Sequence, residues 1–348
     1  MKKILVYILT AAIIAGCLCA CNSGNNAKNP DDKGNSAKAL KIVTTIFPEY
    51  DWVMNVLGEN PGNAEVTMLL DNGVDLHSYQ PTVDDILKIS TCDLFIYVGG
   101  ESDEWVEDAL KEAVNKNMVV INLLDTLGKA VKEEEIVEGM QAEEEHEHDH
   151  DHEDEDHEHE DHDEHEHEEV EYDEHVWLSL KNAAKIVDSV SDALAKVDSA
   201  NAETYRNNAA SYKEKLNALD SEYKEAVSNA RVKTLLFGDR FPFRYLVDDY
   251  NISYYAAFVG CSAETEASFE TITFLSKKVD ELSLNAVMTI EGNDHRIAET
   301  IVRNTGSKDQ QILTMDSMQS TTSKDVKNGA TYLSIMQKNL TVLKDAVK

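Results

Sequence analysis

Short apolar runs of strand length recur along the chain in two sets of four, and this repeat constrains the fold more than any other feature. β-branched residues are frequent in these runs, and helix-compatible segments separate one run from the next. The first set is LKIVTTI, AEVTMLL, DLFIYVG and MVVINLL, and the second is KTLLFG, ISYYAAF, NAVMTIE and QILTM. Strands that alternate with helices favour parallel sheets. The sequence therefore predicts an α/β fold of two lobes, each with a four-stranded, mostly parallel sheet flanked by helices.

A long helix is predicted between the two sets. Residues 177–232 contain neither glycine nor proline, and apolar residues follow one another at steps of three and four from Val187 to Ala226. This spacing describes one face of a helix. Such a helix could break or bend near Asp198, and its apolar face could alternatively serve a coiled-coil partner. We predict that a long rigid helix over residues 179–231 joins the lobes.

A run of only three residue types interrupts the first half of the chain. Residues 143–169 comprise nine histidines and eighteen carboxylates. Such a run cannot bury apolar surface, so a disordered insert is predicted over residues 133–174. A solvated acidic run is the simpler interpretation, but alternating imidazole and carboxylate also suits zinc, copper or nickel. We therefore predict auxiliary metal capture by His146, His148, His150, His152, His157, His159, His162, His165 and His167.

The amino terminus has the pattern of an exported lipoprotein. It reads MKKILVYILTAAIIAGCLCAC, in which two lysines precede a short apolar run that ends in small residues and cysteines. Residues 1–21 are predicted as a lipoprotein signal peptide with its lipobox, with Cys21 or Cys17 as the lipidated residue, and residues 22–39 as a flexible tether. The folded body is then held by lipid at the outer face of the bacterial cell membrane.

Charge and cysteine content limit the possible partners. The formal net charge is −34, and it remains −16 after the eighteen acids of the insert are subtracted, so a basic surface for nucleic acid is excluded. Beyond the leader, the remaining cysteines are Cys92 and Cys261, one in each half of the chain. We expect two separate buried thiols rather than a disulfide.

Outside the insert the chain has three histidines, and two of them lie in loops that suit a ligand site. His77 lies in LLDNGVDLHSYQPTVDDI, after the second strand run, and His175 lies in DEHVWLSLKNA, where the insert returns to the fold. Loops at the carboxyl ends of parallel strands are where α/β proteins bind ligands. Both histidines are therefore candidate metal ligands, although a lone loop histidine is more often an ordinary surface residue.

The chain resembles the solute-binding proteins of zinc and manganese ABC importers, a family of paired α/β lobes joined by a long rigid helix. The segments VTTIFPEYDWVMNVLG, GVDLHSYQPT, DEHVWLSLKNA and TYLSIMQKNLTVLKDAV carry the resemblance, which extends from Leu40 to the carboxyl terminus. The histidine-rich insert is a mark of the zinc branch. The resemblance implies lobes at residues 40–178 and 232–348, and Zn²⁺ rather than Mn²⁺ as the bound ion.

The resemblance also implies a ligand set. Transferred to this sequence, the family's metal ligands are His77, His175 and Asp316. The remaining family position, usually histidine or glutamate, falls on Arg240, whose guanidinium has no lone pair to offer a metal.

The residue that replaces this ligand stays open at the sequence level. Water or Asp239 could fill the position, with His295 as a further candidate. Arg240 itself is expected either to pair with Asp316 or another carboxylate, or to be a surface arginine.

These features predict a metal receptor and not an enzyme. The predicted function is capture of zinc in the cleft between the lobes and delivery to an ABC-type permease, by a monomer that binds no nucleic acid. One alternative is a surface metal store or adhesin that uses the insert. A less favoured alternative is a zinc hydrolase, for which the sequence offers no HExxH motif outside the histidine-rich run.

Overall fold

Two parallel sheets form the framework of the residues that the computed structural model describes, namely 39–58, 64–141, 171–262, 266–292 and 295–348. Within residues 39–348 these segments belong to one compact unit. The predicted signal peptide, the lipidation site, nearly all of the tether and the histidine-rich run lie outside the described residues. None of the helices in the described part is both long enough and apolar enough to cross a bilayer.

The first sheet has the strand order β2-β1-β3-β4, with all neighbours parallel. Its strands are β1 (Leu40–Thr44), β2 (Ala64–Met68), β3 (Leu94–Tyr97) and β4 (Val119–Asn122). The helices of this part of the chain are α1 (Phe47–Leu57), α2 (Val83–Thr91), α3 (Trp105–Lys111) and α4 (Leu123–Leu127).

The second sheet repeats this topology in the order β6-β5-β7-β8, again with parallel neighbours. Its strands are β5 (Thr234–Phe241), β6 (Ser253–Val259), β7 (Ala286–Ile290) and β8 (Gln311–Met315). The accompanying helices are α7 (Arg244–Tyr250), α8 (Phe269–Glu281), α9 (Arg296–Asn304), α10 (Ser323–Lys327) and α11 (Tyr332–Ala346). Each apolar run of the sequence analysis forms one strand, and the predicted fold class is confirmed.

The helical segment between the sheets is a pair of helices. α5 (Leu180–Val197) and α6 (Ala202–Ser228) pack against each other, with a short 3-10 turn at Ser199–Asn201 between them. The long helix is confirmed as the 27-residue α6, but its predicted extent over residues 179–231 is wrong. The chain leaves helical geometry at Asp198, where φ is −136° and ψ is 74°. The Asp198 carboxylate accepts a hydrogen bond from Tyr205 Oη, which stabilises this break.

α6 connects both parts of the fold through buried tyrosines. Tyr212 donates its hydroxyl to Asp51 of α1 at 3.1 Å, and Tyr223 donates to the Met336 carbonyl of α11 at 2.7 Å. Both tyrosines belong to a hydrophobic core that also includes residues of both sheets. α6 therefore holds the two lobes at a defined spacing.

The base of the predicted insert is ordered, which corrects its boundaries. Glu133 forms an antiparallel bridge with Tyr172, and the Asp173 amide donates to the Lys132 carbonyl at 2.9 Å. Residues 133–141 and 171–174 are therefore part of the fold rather than of a disordered insert. Farther along, the Gln141 amide donates to the Ala257 carbonyl of β6 at 3.0 Å. The segment before the histidine-rich run thus crosses from the first lobe to the second.

The role of α6 predicts a difference between two tyrosine substitutions. Tyr212→Phe removes a donor from the buried carboxylate of Asp51, so the free energy of unfolding should fall by about 1–3 kcal/mol. Tyr205→Phe removes a similar bond at the break between α5 and α6, where water can replace the donor, and should lower it by less than about 1 kcal/mol. Chemical denaturation of the two variants measures both values. Equal losses would show that the Tyr212 bond does not fix α6 against α1.

Candidate metal site

The two loop histidines of the sequence analysis lie side by side. His77 belongs to a 3-10 turn, Leu76–Ser78, that follows β2, and His175 precedes a second turn, Val176–Leu178, that leads into α5. Their Nε2 atoms are 3.2 Å apart. The His175 side chain is fully buried, and 10% of the His77 side chain is exposed. The structure therefore brings these two candidate ligands together.

Neighbouring carboxylates orient both residues. Asp75 caps the first turn, where its Oδ1 accepts a hydrogen bond from the His77 amide at 3.1 Å. Asp173 Oδ1 accepts from the His175 amide at 2.9 Å and lies 3.0 Å from His175 Nδ1. A carboxylate beside Nδ1 keeps the proton on that nitrogen. The lone pair of His175 is therefore on Nε2 and faces His77.

The loop after β3 holds the ring of His77 in the same way. His77 Nδ1 lies 2.8 Å from Ser102 Oγ and 3.5 Å from Glu174 Oε2, while the Ser102 amide donates to Glu174 Oε1 at 2.9 Å. Gly100, with φ of +82°, packs so closely on the Glu174 carboxylate that a Cβ would have no room. These contacts favour a proton on Nδ1 of His77 and a lone pair on its Nε2.

The charges around the two rings favour a bound cation. Burial lowers the pKa of His77 to about 3, helped by the neighbouring His175, so this imidazole is neutral at physiological pH. Burial also raises the pKa of Glu174 and of Glu134. Among the described residues, Glu174 Oε2 is buried and accepts no hydrogen bond. A metal ion bound by the neutral nitrogen donors would offset the cost of burying these carboxylates.

Gln319, which the sequence analysis missed, contacts both rings. It lies in the loop after β8, is 5% exposed, and places its Nε2 2.6 Å from His175 Nε2 and 3.2 Å from His77 Nε2. An amide NH₂ carries two hydrogens and can donate to both lone pairs at once. Glu291 holds the loop. Its Oε1 accepts hydrogen bonds from the Ser317 hydroxyl at 2.6 Å and from the backbone amide of Gln319 at 3.3 Å.

Cys261 lies beside the histidines, although the sequence analysis predicts it as a buried structural thiol. One ligand atom from each of His77, His175 and Cys261 lies within 4.8 Å of the others. Gly260 packs on the His175 ring, where a Cβ would lie 2.9 Å from Cε1. Cys261 follows β6, so its place at the carboxyl end of a strand was the sequence signal that could have identified it.

Cys92 and Cys261 are separate free thiols, as predicted, but only Cys92 is buried, whereas Cys261 is partly buried. The backbone amide of Cys261 donates to Glu134 Oε1 at 3.3 Å. Burial, together with the carboxylates of Glu134, Glu174 and Asp173, raises the pKa of the thiol. Without a cation nearby, Cys261 is therefore protonated.

A cleft of about 510 Å³ leads from the surface to this cluster. His77 and Cys261 line its inner part, and Glu104, Glu171 and Tyr172 line it as well. Glu171 and Tyr172 are the first described residues after the histidine-rich run. The described chain therefore resumes at the wall of this cleft.

Asp316, the third ligand that the family resemblance implies, is not in the group formed by His77, His175 and Cys261 among the described residues, and its role as a ligand stays a prediction. Its Oδ1 accepts from the Met318 amide at 2.8 Å, and its carboxylate lines a different cleft of about 410 Å³ together with Glu291. Burial and the neighbouring Asp316 raise the pKa of Glu291 to about 7. The loop turns after Asp316, and Gln319, three residues later, lies beside the two histidines.

Arg240 pairs with Asp75, not with Asp316. Its Nη2 lies 2.6 Å from Asp75 Oδ2, and its Nη1 donates to the Ser262 carbonyl at 3.3 Å. Burial alone would raise the pKa of Asp75, but the charge of Arg240 and the contacts with His77 lower it. Arg240 thus supports the residue that caps the His77 turn.

The two suggested replacements for the missing ligand lie elsewhere. The carboxylate of Asp239 accepts from the amides of Arg240 and Ile290, at 2.9 and 3.3 Å. His295 directly precedes α9. Neither residue belongs to the group formed by the two histidines and Cys261 among the described residues.

Comparison with known proteins agrees with the fold and with the resemblance stated above. The family model for zinc-uptake complex component A, periplasmic, matches residues 42–346. The zinc-binding lipoprotein AdcA of Streptococcus pneumoniae serotype 4 is 33% identical over 344 residues, which are 99% of this chain and 61% of that protein. The high-affinity zinc uptake system protein ZnuA of Bacillus subtilis is 28% identical over 338 residues, which are 96% of both chains. The chain thus spans 61% of the length of its AdcA relative and nearly all of ZnuA.

A solved structure gives the same result. The Zn(II)-bound ZnuA-like domain of Streptococcus pneumoniae AdcA superposes with a TM-score of 0.65 at 27% identity, covering 88% of this chain and 98% of that chain. The predicted resemblance is confirmed by these matches. Because the family model covers most of its length, the chain belongs to the family of periplasmic zinc-uptake complex component A, a family of solute-binding receptors.

Proposed function

We propose that the chain is an extracytoplasmic receptor that captures Zn²⁺ between its lobes and delivers it to an ABC-type permease. The observation that carries the proposal is the 3.2 Å separation of His77 Nε2 and His175 Nε2. Two Zn–N bonds of about 2.0–2.1 Å at a tetrahedral angle place their nitrogens about 3.3–3.4 Å apart. Zinc therefore fits between these atoms with almost no rearrangement of the rings.

The electrostatics support a divalent cation at this point. Two lone pairs at 3.2 Å repel each other, and the buried carboxylates of Asp173 and Glu174 add negative charge beside the rings. A cation between the nitrogens attracts both lone pairs and is also attracted by the two carboxylates. Imidazole donors suit zinc better than manganese, which prefers oxygen ligands.

Gln319 controls the approach to the two nitrogens. Its amide group donates to both Nε2 atoms, so an entering ion must displace the NH₂ group or meet the amide oxygen after the side chain turns. A carboxamide is a weaker ligand than a carboxylate because it carries no charge. This arrangement favours an ion that is held by the histidines yet can be released.

The remaining parts of the chain are proposed to serve capture and delivery. Lipid at Cys21 or Cys17 would hold the receptor at the outer face of the membrane, and the AdcA relative is named a lipoprotein. The histidine-rich run is proposed to collect zinc near the cleft, because Glu171 and Tyr172 continue from it along the cleft wall. The receptor is proposed to act as a monomer and to release its ion when the permease separates the lobes.

Removal of the histidine-rich run tests whether the receptor has a separate zinc site. With residues 142–170 replaced by a short Gly/Ser linker, isothermal calorimetry should show one tightly bound zinc ion, whereas the full chain should bind additional ions weakly. The reason is that the run offers many exchangeable donors without fixed geometry, while the two histidines are preoriented. Loss of all tight binding in the shortened chain would instead support a metal store in which the run is the whole function.

The Asp173 carboxylate, which lies beside His175 Nδ1, is expected to strengthen zinc binding. Asp173→Asn keeps an oxygen near His175 Nδ1 but removes its charge, so zinc affinity should fall by about ten- to a hundredfold. Competition with a chromophoric zinc chelator in the shortened chain measures this change.

A matched control is Asp249→Asn. Asp249 accepts a hydrogen bond at 2.6 Å from the hydroxyl of Ser179, which caps α5 just after the His175 turn, and among the described residues it is bonded to no histidine. Its variant should keep the parental zinc affinity. An equal loss in both variants would mean that the Asp173 effect comes from general destabilisation of this region.

A further inference from the structure

The histidine pair alone leaves a zinc ion short of protein donors. Structural and transport sites for zinc use about four ligands in a tetrahedral arrangement. The guanidinium of Arg240, at the position where the sequence analysis expects another ligand, is bound to Asp75 and to the Ser262 carbonyl. A further protein donor near the two rings would bring the site closer to four ligands.

Cys261 is in position to be that donor. One ligand atom from each of His77, His175 and Cys261 lies within 4.8 Å of the others. With a Zn–S bond of about 2.3 Å and Zn–N bonds of about 2.0–2.1 Å, the sulfur and each nitrogen would be about 3.6 Å apart. A movement of the thiol by about 1 Å, within reach of a side-chain rotation, closes the difference.

The backbone around Cys261 fixes the thiol at this place. Gly260 lies against the His175 ring, where a Cβ would lie 2.9 Å from Cε1 and 3.0 Å from the Phe241 carbonyl oxygen. The Cys261 amide is held by Glu134 Oε1 at 3.3 Å. A larger residue at position 260 would push the Cys261 loop away from the rings, so the glycine permits the close approach.

The carboxylates near the thiol also favour a bound cation. Glu134 contacts the Cys261 amide and lines the cleft together with Glu174 and the thiol itself. Glu174 is 1% exposed, and its Oε2 accepts no hydrogen bond among the described residues. Buried carboxylates next to a thiol and two neutral imidazoles are stabilised by a positive ion.

We propose that Cys261 Sγ is the third protein ligand of the zinc site, which makes it a His₂Cys site with the Gln319 side chain beside the fourth position. This inference rests on the proposed zinc-binding function and adds a thiolate to it. On binding, the S–H bond breaks, the sulfur forms a bond to the ion, and the proton leaves through the cleft to solvent. A thiolate ligand favours Zn²⁺, Co²⁺ and Cd²⁺ over Mn²⁺.

Cobalt is a direct probe because a thiolate bound to Co²⁺ gives a charge-transfer band in the near ultraviolet, which nitrogen and oxygen ligands do not give. The full-length chain with Cys17→Ser, Cys19→Ser and Cys21→Ser retains only Cys92 and Cys261 as thiols. The histidine-rich run contains no cysteine and cannot produce the band. One equivalent of Co²⁺ should give the charge-transfer band together with the visible bands of tetrahedral cobalt.

Two further substitutions in this chain assign the band. Cys261→Ser should abolish it, whereas Cys92→Ser, which changes a buried thiol next to Met118, should leave it unchanged. Circular dichroism checks that each variant is folded. A band that survives Cys261→Ser, or disappears in Cys92→Ser, would overturn the proposal.

The other outcomes separate this inference from the proposed function. Tight cobalt binding without a charge-transfer band in the starting chain would overturn the thiolate ligand and leave the receptor function intact. Absence of any tight cobalt or zinc binding would contradict the receptor function itself. If Cys261→Ser does not fold, X-ray absorption of the starting chain with one equivalent of zinc decides the question, because the proposal requires a sulfur neighbour at about 2.3 Å.

Discussion

The repulsion between two imidazole lone pairs is the constraint on which the site depends. His77 Nε2 and His175 Nε2 face each other at 3.2 Å. An oxygen beside Nδ1 keeps each ring in this tautomer: Ser102 Oγ for His77 and Asp173 Oδ1 for His175. Such an arrangement is stable only if something with positive charge or donor hydrogens lies between the nitrogens. The amide of Gln319 fulfils this role in the structure, and a zinc ion fulfils it better because it also compensates the buried carboxylates.

The fold supplies this arrangement by placing the ends of distant strands around one point. Loops after β2, β3, β6 and β8 contribute side chains or close contacts, and these strands belong to two sheets with the same topology. Trp177, two residues after His175, donates to the Ser317 carbonyl at 2.8 Å, and its own carbonyl accepts from Tyr332 at 2.6 Å. These bonds join the loop of one ligand to the second lobe. Because one core extends across both sheets, the fold favours small displacements of the lobes over wide opening.

The sequence predicts the framework well because strand runs and helical spacing are local patterns, and each of the expected strands is present. A helix break near Asp198 is only one possibility at the sequence level, because no glycine or proline marks it. The break depends instead on side-chain hydrogen bonds to the Asp198 carboxylate. The sequence does not reveal which residues of the loop after β8 lie beside the histidines. Asp316 and Gln319 are three residues apart in one loop, and only the path of that loop decides which enters the site. The place of Cys261 after the β6 run is visible in the sequence, but its closeness to the histidines depends on long-range packing, which no local pattern contains.

The central claim is that the tight ion is bound by the facing histidine pair and not by histidines in general. The most direct measurement is zinc affinity, by chelator competition after removal of residues 142–170, in His77→Ala and in His295→Ala. His295 precedes α9 and contributes no ligand atom to the cluster, so it is the matched control. Loss of the tight ion is expected in His77→Ala, and parental affinity is expected in His295→Ala. Retention of the tight ion in His77→Ala, in a folded protein, would contradict it.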